Sequence, residues 1–209
     1  MKNPLPRHFW HCLSLLAVVL ALGAHYALSP WGFYRKTTPE EAALRLAVVA
    51  QAESHLGLNE ADGSYLAIAD TYNSHEPLAQ NYVLQPEDSW CAAFVSAVAI
   101  ECGITDILPT ECGCQRQIGL FQSLGCWEEQ DGYVPQPGDL IYYDWQDKGY
   151  GDCTGWADHV GLIVGIKWPF AKVIEGNKDN CVSYRYILLG GPHIRGYGLP
   201  DYGIVSKKP

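Results

Sequence analysis

Ser89-Trp90-Cys91-Ala92-Ala93-Phe94-Val95 is the stretch from which the fold of this chain can be predicted. It follows a turn-prone run at 85–89 and begins an apolar pattern with helical spacing, which Gly103 closes just past the predicted C-terminus. One face of this predicted helix carries Phe94, Val95, Val98 and Ala99. The pattern therefore indicates a core helix that begins at or near a cysteine.

Cys91 falls in the first turn of this helix, with Asp88 or Ser89 predicted as the N-cap. The partial positive charge at a helix N-terminus favours a thiolate over a thiol, and the free N–H groups there can stabilise an oxyanion. Cys91 is therefore a candidate nucleophile. The alternative for an isolated cysteine is a buried side chain that acts as a small hydrophobe.

The composition is that of an ordinary globular protein. The chain has 209 residues, of which 48% are hydrophobic and 18% charged, enough for one catalytic-sized domain and an N-terminal extension. Its net charge of −9 argues against nucleic acid or an anionic membrane surface as the main partner.

Residues 1–29 are predicted to be a signal peptide or a membrane anchor. Lys2 and Arg7 give a basic front, the stretch 12–24 is apolar apart from one serine, and small residues follow. The apolar segment is short for a spanning helix, but residues 10–28 could anchor the chain if they are not cleaved. We therefore expect a secreted or membrane-anchored protein that works outside the cytoplasm, with a linker at 30–37 and a catalytic domain at 38–209.

Eight cysteines agree with export, because disulfides persist outside the cytoplasm. With Cys12 in the leader and Cys91 set aside, the others predict disulfides or a mixture of bridges and buried thiols. These others are Cys102, Cys112, Cys114, Cys126, Cys153 and Cys181. A zinc site seeded by Cys112-Gly113-Cys114 is the alternative, but no C-x-x-C motif or histidine cluster accompanies it, so no metal or cofactor is predicted.

The early part of the domain is predicted to be helical. Thr38 caps a helix that runs to about Leu56, with Pro39 in the first turn and Glu41 completing a capping box. The predicted packing stripe of this helix is Ala43, Leu46, Ala47 and Ala50. A short amphipathic helix is predicted at 115–124, with apolar positions Ile118, Leu120, Phe121 and Leu124.

Residues 58–88 are polar and turn-rich, and are predicted to form one or two ordered loops beside the nucleophile. Four residues there carry oxygen ligands that suit calcium, namely Asn59, Glu60, Asp62 and Asp70. Their spacing does not complete an EF-hand loop, so solvated side chains are the favoured interpretation.

Beyond Pro137 the pattern changes to period two, which predicts strands. The predicted strands are 139–145, 159–166, 172–176, 183–189 and 194–197. Helices early in the chain and strands late in it indicate an α+β fold, with N-terminal helices packed on an antiparallel sheet.

A cysteine nucleophile needs a base, and His159 is the candidate because it opens a predicted strand. Alternation places Val160, Leu162 and Val164 on the core face of that strand. His159 shares the opposite face with Gly161 and Gly165, and these glycines are predicted to leave room for another molecule.

The base in turn needs an orienting group, and the next strand offers two. A hairpin folded about Lys167 would place Glu175 opposite His159, whereas one folded about Trp168 would place Asn177 there. Either side chain could accept a hydrogen bond from the imidazole and fix its tautomer. Asp158 points to the other face of its strand and is discounted.

Four blocks of sequence, in their order and spacing, resemble the CHAP-domain family of cysteine, histidine-dependent amidohydrolases and peptidases. The blocks are Trp90-Cys91-Ala92-Ala93-Phe94-Val95, Pro137-Gly138-Asp139-Leu140, Asp158-His159-Val160-Gly161 and Val173-Ile174-Glu175-Gly176-Asn177. The resemblance covers about residues 40–200 and implies a papain-like α+β fold that cleaves amide bonds of bacterial peptidoglycan. It implies Cys91 as nucleophile, His159 as base and Glu175 as third catalytic residue, with Asn177 a further polar group. The cysteines of 102–126, with Cys153 and Cys181, depart from the family pattern as we know it.

Substrate contacts are predicted from aromatic residues near the blocks. Trp90, Tyr142, Trp145 and Trp156 could line a groove for a glycopeptide, although any one of them taken alone is more often a core or sheet residue. The Cys91 N–H is the predicted first oxyanion donor, and Gln85 is a candidate for the second.

The main functional hypothesis is a monomeric peptidoglycan hydrolase, either an N-acetylmuramoyl-L-alanine amidase or a peptide endopeptidase. One alternative is a papain-like peptidase or acyltransferase acting on proteins. The other is a non-catalytic wall-binding or assembly module of a secretion or conjugation apparatus. The combination of Cys91, His159 and Glu175 argues against the module, because binding alone does not require that set of groups.

Overall fold

The computed structural model describes residues 37–205, which form an α+β domain. The predicted leader at 1–29, and all of the predicted linker except Thr37, lie outside the described residues. Among the residues that are described, no helix is both long enough and apolar enough to cross a membrane.

The helices and strands follow the predicted order, helices first. The helices are α1 (Pro39–Ser54), α2 (Leu66–Asn73), α3 (Cys91–Glu101), α4 (Cys114–Ser123) and α5 (Tyr202–Val205), with a 3₁₀ turn at Ala79–Asn81. The strands are β1 (Trp127–Glu128), β2 (Leu140–Tyr143), β3 (His159–Lys167), β4 (Phe170–Lys178), β5 (Cys181–Leu188) and β6 (Ile194–Gly198). They form one antiparallel sheet in the order β1-β6-β2-β3-β4-β5. The predicted α+β class with an antiparallel sheet is confirmed.

The helix that carries Cys91 is the central element of the core. Every residue from Cys91 to Ala99 is buried, so α3 is enclosed on all sides rather than amphipathic as its spacing predicted. Trp90 is the N-cap and makes no side-chain capping bond, so the predicted cap at Asp88 or Ser89 is wrong. The Asp88 carboxylate instead accepts hydrogen bonds from the Tyr82 hydroxyl and the Gln85 N–H, which close the preceding turn.

The predicted end of α3 is confirmed. Gly103 has φ of +65°, the left-handed conformation that glycine adopts without strain. Its N–H donates to the Ile100 carbonyl, and the Ile104 N–H donates to the Ala99 carbonyl, each at 3.0 Å. These two bonds form a Schellman motif, which satisfies carbonyls that the helix end would leave unpaired.

Helix α1 begins as predicted but buries a different face. The Thr38 hydroxyl accepts the Glu41 N–H at 3.1 Å, which confirms the cap. The predicted packing stripe is wrong, because Ala43, Leu46, Ala47 and Ala50 are all exposed. The buried positions are Glu41, Arg45, Val48, Val49 and Ala52. Two charged residues thus point inward, which a hydrophobic pattern cannot reveal.

An ion pair explains the inward charges. The Arg45 guanidinium donates to the Asp139 carboxylate at 2.8 Å and to the Pro137 carbonyl at 3.1 Å, and Glu41 pairs with Arg45 from one turn away. Asp139 is fully buried. The block Pro137–Leu140, part of the family resemblance, therefore joins α1 to the turn that leads into β2 and is structural.

Two further elements differ from the sequence prediction. Residues 58–88 contain α2, which buries Ile68, Ala69 and Tyr72, so this region is not only loop. Helix α4 lies within one residue of its predicted bounds and buries Ile118 and Phe121 as predicted. Leu120 and Leu124 are exposed instead.

Strand β4 lies against the start of α3 because Gly176 has no side chain. A Cβ atom at Gly176 would lie 2.4 Å from the Phe94 Cβ and 2.9 Å from the Trp90 ring. Real carbon contacts do not become this short, so only glycine allows the strand to pack so closely. This contact brings the strand of Glu175 next to the helix of Cys91.

Candidate active site

Cys91 is the first residue of α3, directly after the N-cap Trp90. Its N–H belongs to the first turn of the helix, where backbone donors have no partner within the helix. The residue is 4% exposed, so Cys91 is buried rather than in the open groove that was expected.

His159 is the first residue of β3. Val160 and Leu162 pack into the core with the helices, which confirms the predicted alternation along this strand. The imidazole stacks on the ring of Tyr143, its cross-strand neighbour, with centroids 5.9 Å apart. Its side chain is 12% exposed, so the imidazole is largely shielded from water.

Glu175 orients the imidazole. One Glu175 carboxylate oxygen lies 3.0 Å from the His159 Nε2. The hairpin turns at Trp168 and Pro169, and β3 contains a bulge between Ile163 and Gly165. The cross-strand pair Leu162–Ile174, continued along the strands, places Glu175 diagonally across from His159. The carboxylate thus reaches the ring along the diagonal.

Asn177 does not share this role. It occupies the position directly opposite His159 when the Leu162–Ile174 register is continued. Its φ is +55°, and it lies in an irregular part of β4 between Glu175 and Lys178. The carboxylate that is bonded to the His159 Nε2 is that of Glu175, two residues before Asn177. Asp158 accepts the Trp145 N–H at 3.1 Å, away from the imidazole, in agreement with the prediction that discounted it.

Gly161 makes room for the carboxylate rather than for another molecule. A Cβ atom at this position would lie 2.6 Å from both the Glu175 Cγ and the Val173 Cγ1. By contrast, a Cβ atom at Gly165 would have no neighbour within 4 Å. The glycine next but one to His159 is therefore part of how Glu175 reaches the ring.

This difference gives a matched pair of variants. Gly161→Ala is expected to lower the free energy of unfolding by about 1–3 kcal/mol, the usual cost of overpacking, and to displace Glu175 from His159. Gly165→Ala on the same strand should change it by less than about 0.5 kcal/mol. Urea denaturation of both variants measures the effect. Equal stabilities would show that the strand yields easily and that Gly161 is not required.

Cys91, His159 and Glu175 shift one another's pKa values in the direction that favours their charged forms. A hydrogen bond from Cys114 lowers the pKa of Cys91, and hydrogen bonding and charge from His159 and the Val160 N–H lower it further, against burial. Burial lowers the pKa of His159, but Cys91 and Glu175 together raise it to about 9. Burial raises the pKa of Glu175, yet its bonds to His159 and Arg185 bring it below the ordinary value. The favoured state is thiolate, imidazolium and carboxylate.

Two members of this site were missed from the sequence. The Arg185 Nε donates to both Glu175 carboxylate oxygens, at 2.7 and 2.9 Å. The Cys114 Sγ lies 3.6 Å from the Cys91 Sγ. Arg185 could have been found from the β4–β5 register, which pairs Ser183 with Glu175 and leaves Arg185 two residues away on the same face. For Cys114 the sequence offers no signal, because helix packing alone places it there.

Only some of the predicted substrate residues are accessible. Trp90 and Tyr142 are fully buried, so both are core residues rather than groove residues. The Trp90 indole N–H donates to Glu60, and the Tyr142 hydroxyl donates to Gln117, each at 2.9 Å. Trp156 is 78% exposed and Trp145 is 38% exposed.

Gln85 is not placed as a second oxyanion donor. Its side-chain amide donates to the Val83 carbonyl at 2.7 Å, within its own loop.

A surface pocket of about 450 Å³ lies beyond the end of β2 and includes Trp156, Tyr150 and Asp144 among its lining residues. Asp144, one of its lining residues, directly follows Tyr143, which pairs with His159 across β2 and β3.

The predicted alternatives for metal binding do not correspond to grouped ligands. The Cys112 thiol donates to Glu111 at 3.7 Å, whereas Cys114 contacts Cys91, so the two sulfurs of the zinc seed have different partners. Of the calcium candidates, Asn59 bonds Asp62 within a turn, Glu60 accepts the Trp90 indole, and Asp70 lies on α2.

One other group could hold an ion. Within 37–205, ligand atoms of Asp144, Asp147 and Cys153 lie within 4.8 Å of one another. Asp144 accepts the Gln146 N–H and Asp147 accepts the Gly149 N–H, so both carboxylates already stabilise their own loop.

The expected disulfides are not formed. All seven cysteines in the described part of the chain are free thiols, and Cys91, Cys114 and Cys153 are buried. Buried thiols, the other component of the prediction, are therefore what the structure contains.

The comparisons with known proteins give no relatives. No protein-family model matches the chain, and neither a curated protein nor a solved structure is similar to it. The resemblance to the CHAP family therefore rests on the four sequence blocks alone.

Proposed function

We propose that this protein is a cysteine amidase or endopeptidase that hydrolyses amide bonds of bacterial peptidoglycan. The observation that carries the proposal is the bond between the His159 Nε2 and Glu175. The Glu175 carboxylate is hydrogen-bonded to the Nε2 of the ring. The Nδ1 is then the nitrogen that can exchange a proton with the thiol of Cys91. A nucleophile, a base and an orienting group in this relation are what acyl transfer requires.

The residues divide the reaction between them. The Cys91 thiolate attacks the amide carbonyl, and the N–H groups of the first turn of α3 stabilise the oxyanion. His159, protonated at neutral pH because its pKa is about 9, donates its proton to the leaving amine. The neutral imidazole then accepts a proton from the water that hydrolyses the thioester. Throughout, Glu175 accepts the Nε2–H and stabilises the imidazolium.

The substrate class is supported by the family resemblance and by the prediction of export. A nucleophile at the start of a core helix, with its base on an antiparallel sheet, is also consistent with a papain-like fold. The exposed Trp156 and Trp145 provide aromatic surface on which a glycopeptide could stack. The acidic chain is poorly suited to nucleic acid, so the cell wall is the partner we propose.

The alternative of a non-catalytic module is disfavoured by the shifted pKa values. A binding surface gains nothing from a buried thiolate and imidazolium, which cost free energy to maintain away from water. A peptidase or acyltransferase acting on proteins would use the same three residues, so only the substrate separates it from the proposal.

Digestion of purified peptidoglycans tests the proposal. Residues 30–209 are incubated with several wall types, beside a Cys91→Ala variant, and the released fragments are identified by mass spectrometry. We expect soluble fragments from the wild type alone, with new termini that name the amide bond. If neither protein releases fragments while a generic peptide or protein substrate is cleaved, the alternative of an enzyme acting on proteins replaces this one.

A further inference from the structure

We propose that Cys91 and Cys114 are a reversible redox pair, in which Cys114 is the resolving cysteine that converts an oxidised Cys91 into a disulfide. The Sγ atoms lie 3.6 Å apart, already in contact, and a disulfide needs a separation of about 2.0 Å. The two side chains therefore need only a small adjustment to form the bond. The proposal deepens the proposed function, because the bond would remove the nucleophile on which that function rests.

The backbone supports both members of the pair in the same way. Cys91 is the first residue of α3, and Cys114 is the first residue of α4, with Gly113 as its N-cap. Two helix N-termini thus converge on two sulfur atoms. Partial positive charge at each terminus stabilises a thiolate, which is the form that reacts with an oxidant.

The pKa values of the two thiols assign the order of events. The hydrogen bond between the two lowers the pKa of Cys91 and raises that of Cys114, which burial raises further. Cys91 is therefore the thiolate that reacts first, and Cys114 is the thiol that resolves. Both residues are buried, 4% and 7% exposed, so a small oxidant such as a hydroperoxide reaches them most readily.

The chemistry balances with hydrogen peroxide as the oxidant. The Cys91 thiolate attacks one peroxide oxygen, the O–O bond breaks, and after protonation the products are a sulfenic acid on Cys91 and water. The Cys114 sulfur then attacks the Cys91 sulfur, the S–O bond breaks, and a second water leaves as the disulfide forms. The two thiols together lose two electrons and two protons. A dithiol reductant reverses the change.

The pair also protects the site. Without a neighbouring thiol, a sulfenic acid is oxidised further to a sulfinic acid, which ordinary thiols do not reduce. A resolving cysteine in contact with the nucleophile intercepts the sulfenic acid first. The free thiols of the structure then represent the active, reduced form.

Mass spectrometry of the oxidised full chain tests the pair directly. Cleavage after glutamate separates Cys91, in the peptide 88–101, from Cys114, in the peptide 112–128. After treatment of the reduced protein with hydrogen peroxide, we expect these two peptides linked with the loss of two hydrogen atoms. The link should disappear with dithiothreitol, and fragmentation should place it on Cys114.

Two cysteines of the same peptide provide the matched variants. Cys112→Ser should still form the link, whereas in Cys114→Ser the link should be lost and Cys91 should gain two oxygen atoms that dithiothreitol does not remove. A link to Cys112 or Cys126, or a Cys91 sulfinic acid formed as readily in the wild type as in Cys114→Ser, would overturn the proposal. Fragmentation of the wild-type peptide decides this even if a variant does not fold.

The readout is independent of the hydrolase assay. A reversible Cys91–Cys114 bond in a protein that digests no peptidoglycan would leave the redox pair standing and remove the proposed function. Wall digestion that survives complete oxidation would show that the bond does not form at the nucleophile.

Discussion

Replacing His159 by alanine is expected to lower amide hydrolysis by about 10²–10⁴-fold, the usual contribution of a positioned general acid and base. The same variant should change the reactivity of Cys91. Charge and hydrogen bonding from His159 are among the causes that hold the pKa of Cys91 below the ordinary value, so removing the imidazole raises it. At neutral pH the thiolate fraction then falls, and alkylation by iodoacetamide becomes slow.

The pH dependence follows from the directions of the two shifts. In the wild type the alkylation rate should stay high as the pH is lowered through the normal range of a thiol, since the thiolate persists there. In His159→Ala the rate should instead rise with pH up to the alkaline range. Hydrolysis by the wild type should fall as the pH rises through about 9, because the imidazole then has no proton for the leaving amine.

His55→Ala is the matched control for this experiment. His55 is also paired with a carboxylate, that of Glu101 at 2.7 Å, but its ring packs against Phe94 and is not among the groups that shift the pKa of Cys91. Its loss should leave the alkylation profile of Cys91 unchanged. Rapid alkylation of Cys91 at neutral pH in His159→Ala would contradict the assignment of His159 as the base.

Glu175→Gln is expected to reduce hydrolysis by about 10²–10⁴-fold even though the side chain keeps its shape. Arg185 donates to both oxygens of Glu175, so a glutamine there must turn its single carbonyl oxygen toward the guanidinium. Its NH₂ group then faces the His159 Nε2 and requires an acceptor. This selects the tautomer that carries its proton on Nδ1, which cannot take a proton from Cys91.

A second substitution, at Arg185, tests this change of tautomer. In Glu175→Gln/Arg185→Met the guanidinium is absent, so the amide is free to rotate and offer its oxygen to the Nε2–H. Part of the lost activity should therefore return, as measured by kcat in the two variants. Arg185→Met alone leaves the buried Glu175 carboxylate without its guanidinium partner and should lower the free energy of unfolding by roughly 3 kcal/mol. If the double variant is no more active than Glu175→Gln, the tautomer argument fails.

The parts of the fold that were predicted correctly are those in which local pattern and tertiary structure agree. Val160 and Leu162 alternate toward the core because β3 is packed on one face by helices. Gly103 ends α3 because its left-handed conformation is a local requirement. The choice between Glu175 and Asn177 stayed open because a bulge in β3 changes the register, and no alternation pattern reveals a bulge.

The errors have physical reasons of their own. The buried face of α1 includes Arg45, which is paired with Asp139. A prediction from apolar residues alone therefore places the packing stripe on the wrong side of the helix. The prediction that Trp90 and Tyr142 line a groove is wrong, since both are buried. Aromatic rings occur both in cores and at binding surfaces, and the residue type alone does not separate the two. Cys114 reaches Cys91 through the packing of two helices whose relative placement the sequence does not encode locally.

The enclosure of α3 has a consequence for how a polymer could reach the sulfur. Amide hydrogens of a helix buried on every side are expected to exchange only when the whole domain opens, since fraying needs a solvent-facing edge. The first turn of α3, which carries Cys91, is therefore expected to stay fixed when a ligand approaches. A polymer can therefore reach the sulfur only if residues outside α3 move, among which Trp156 is 78% exposed.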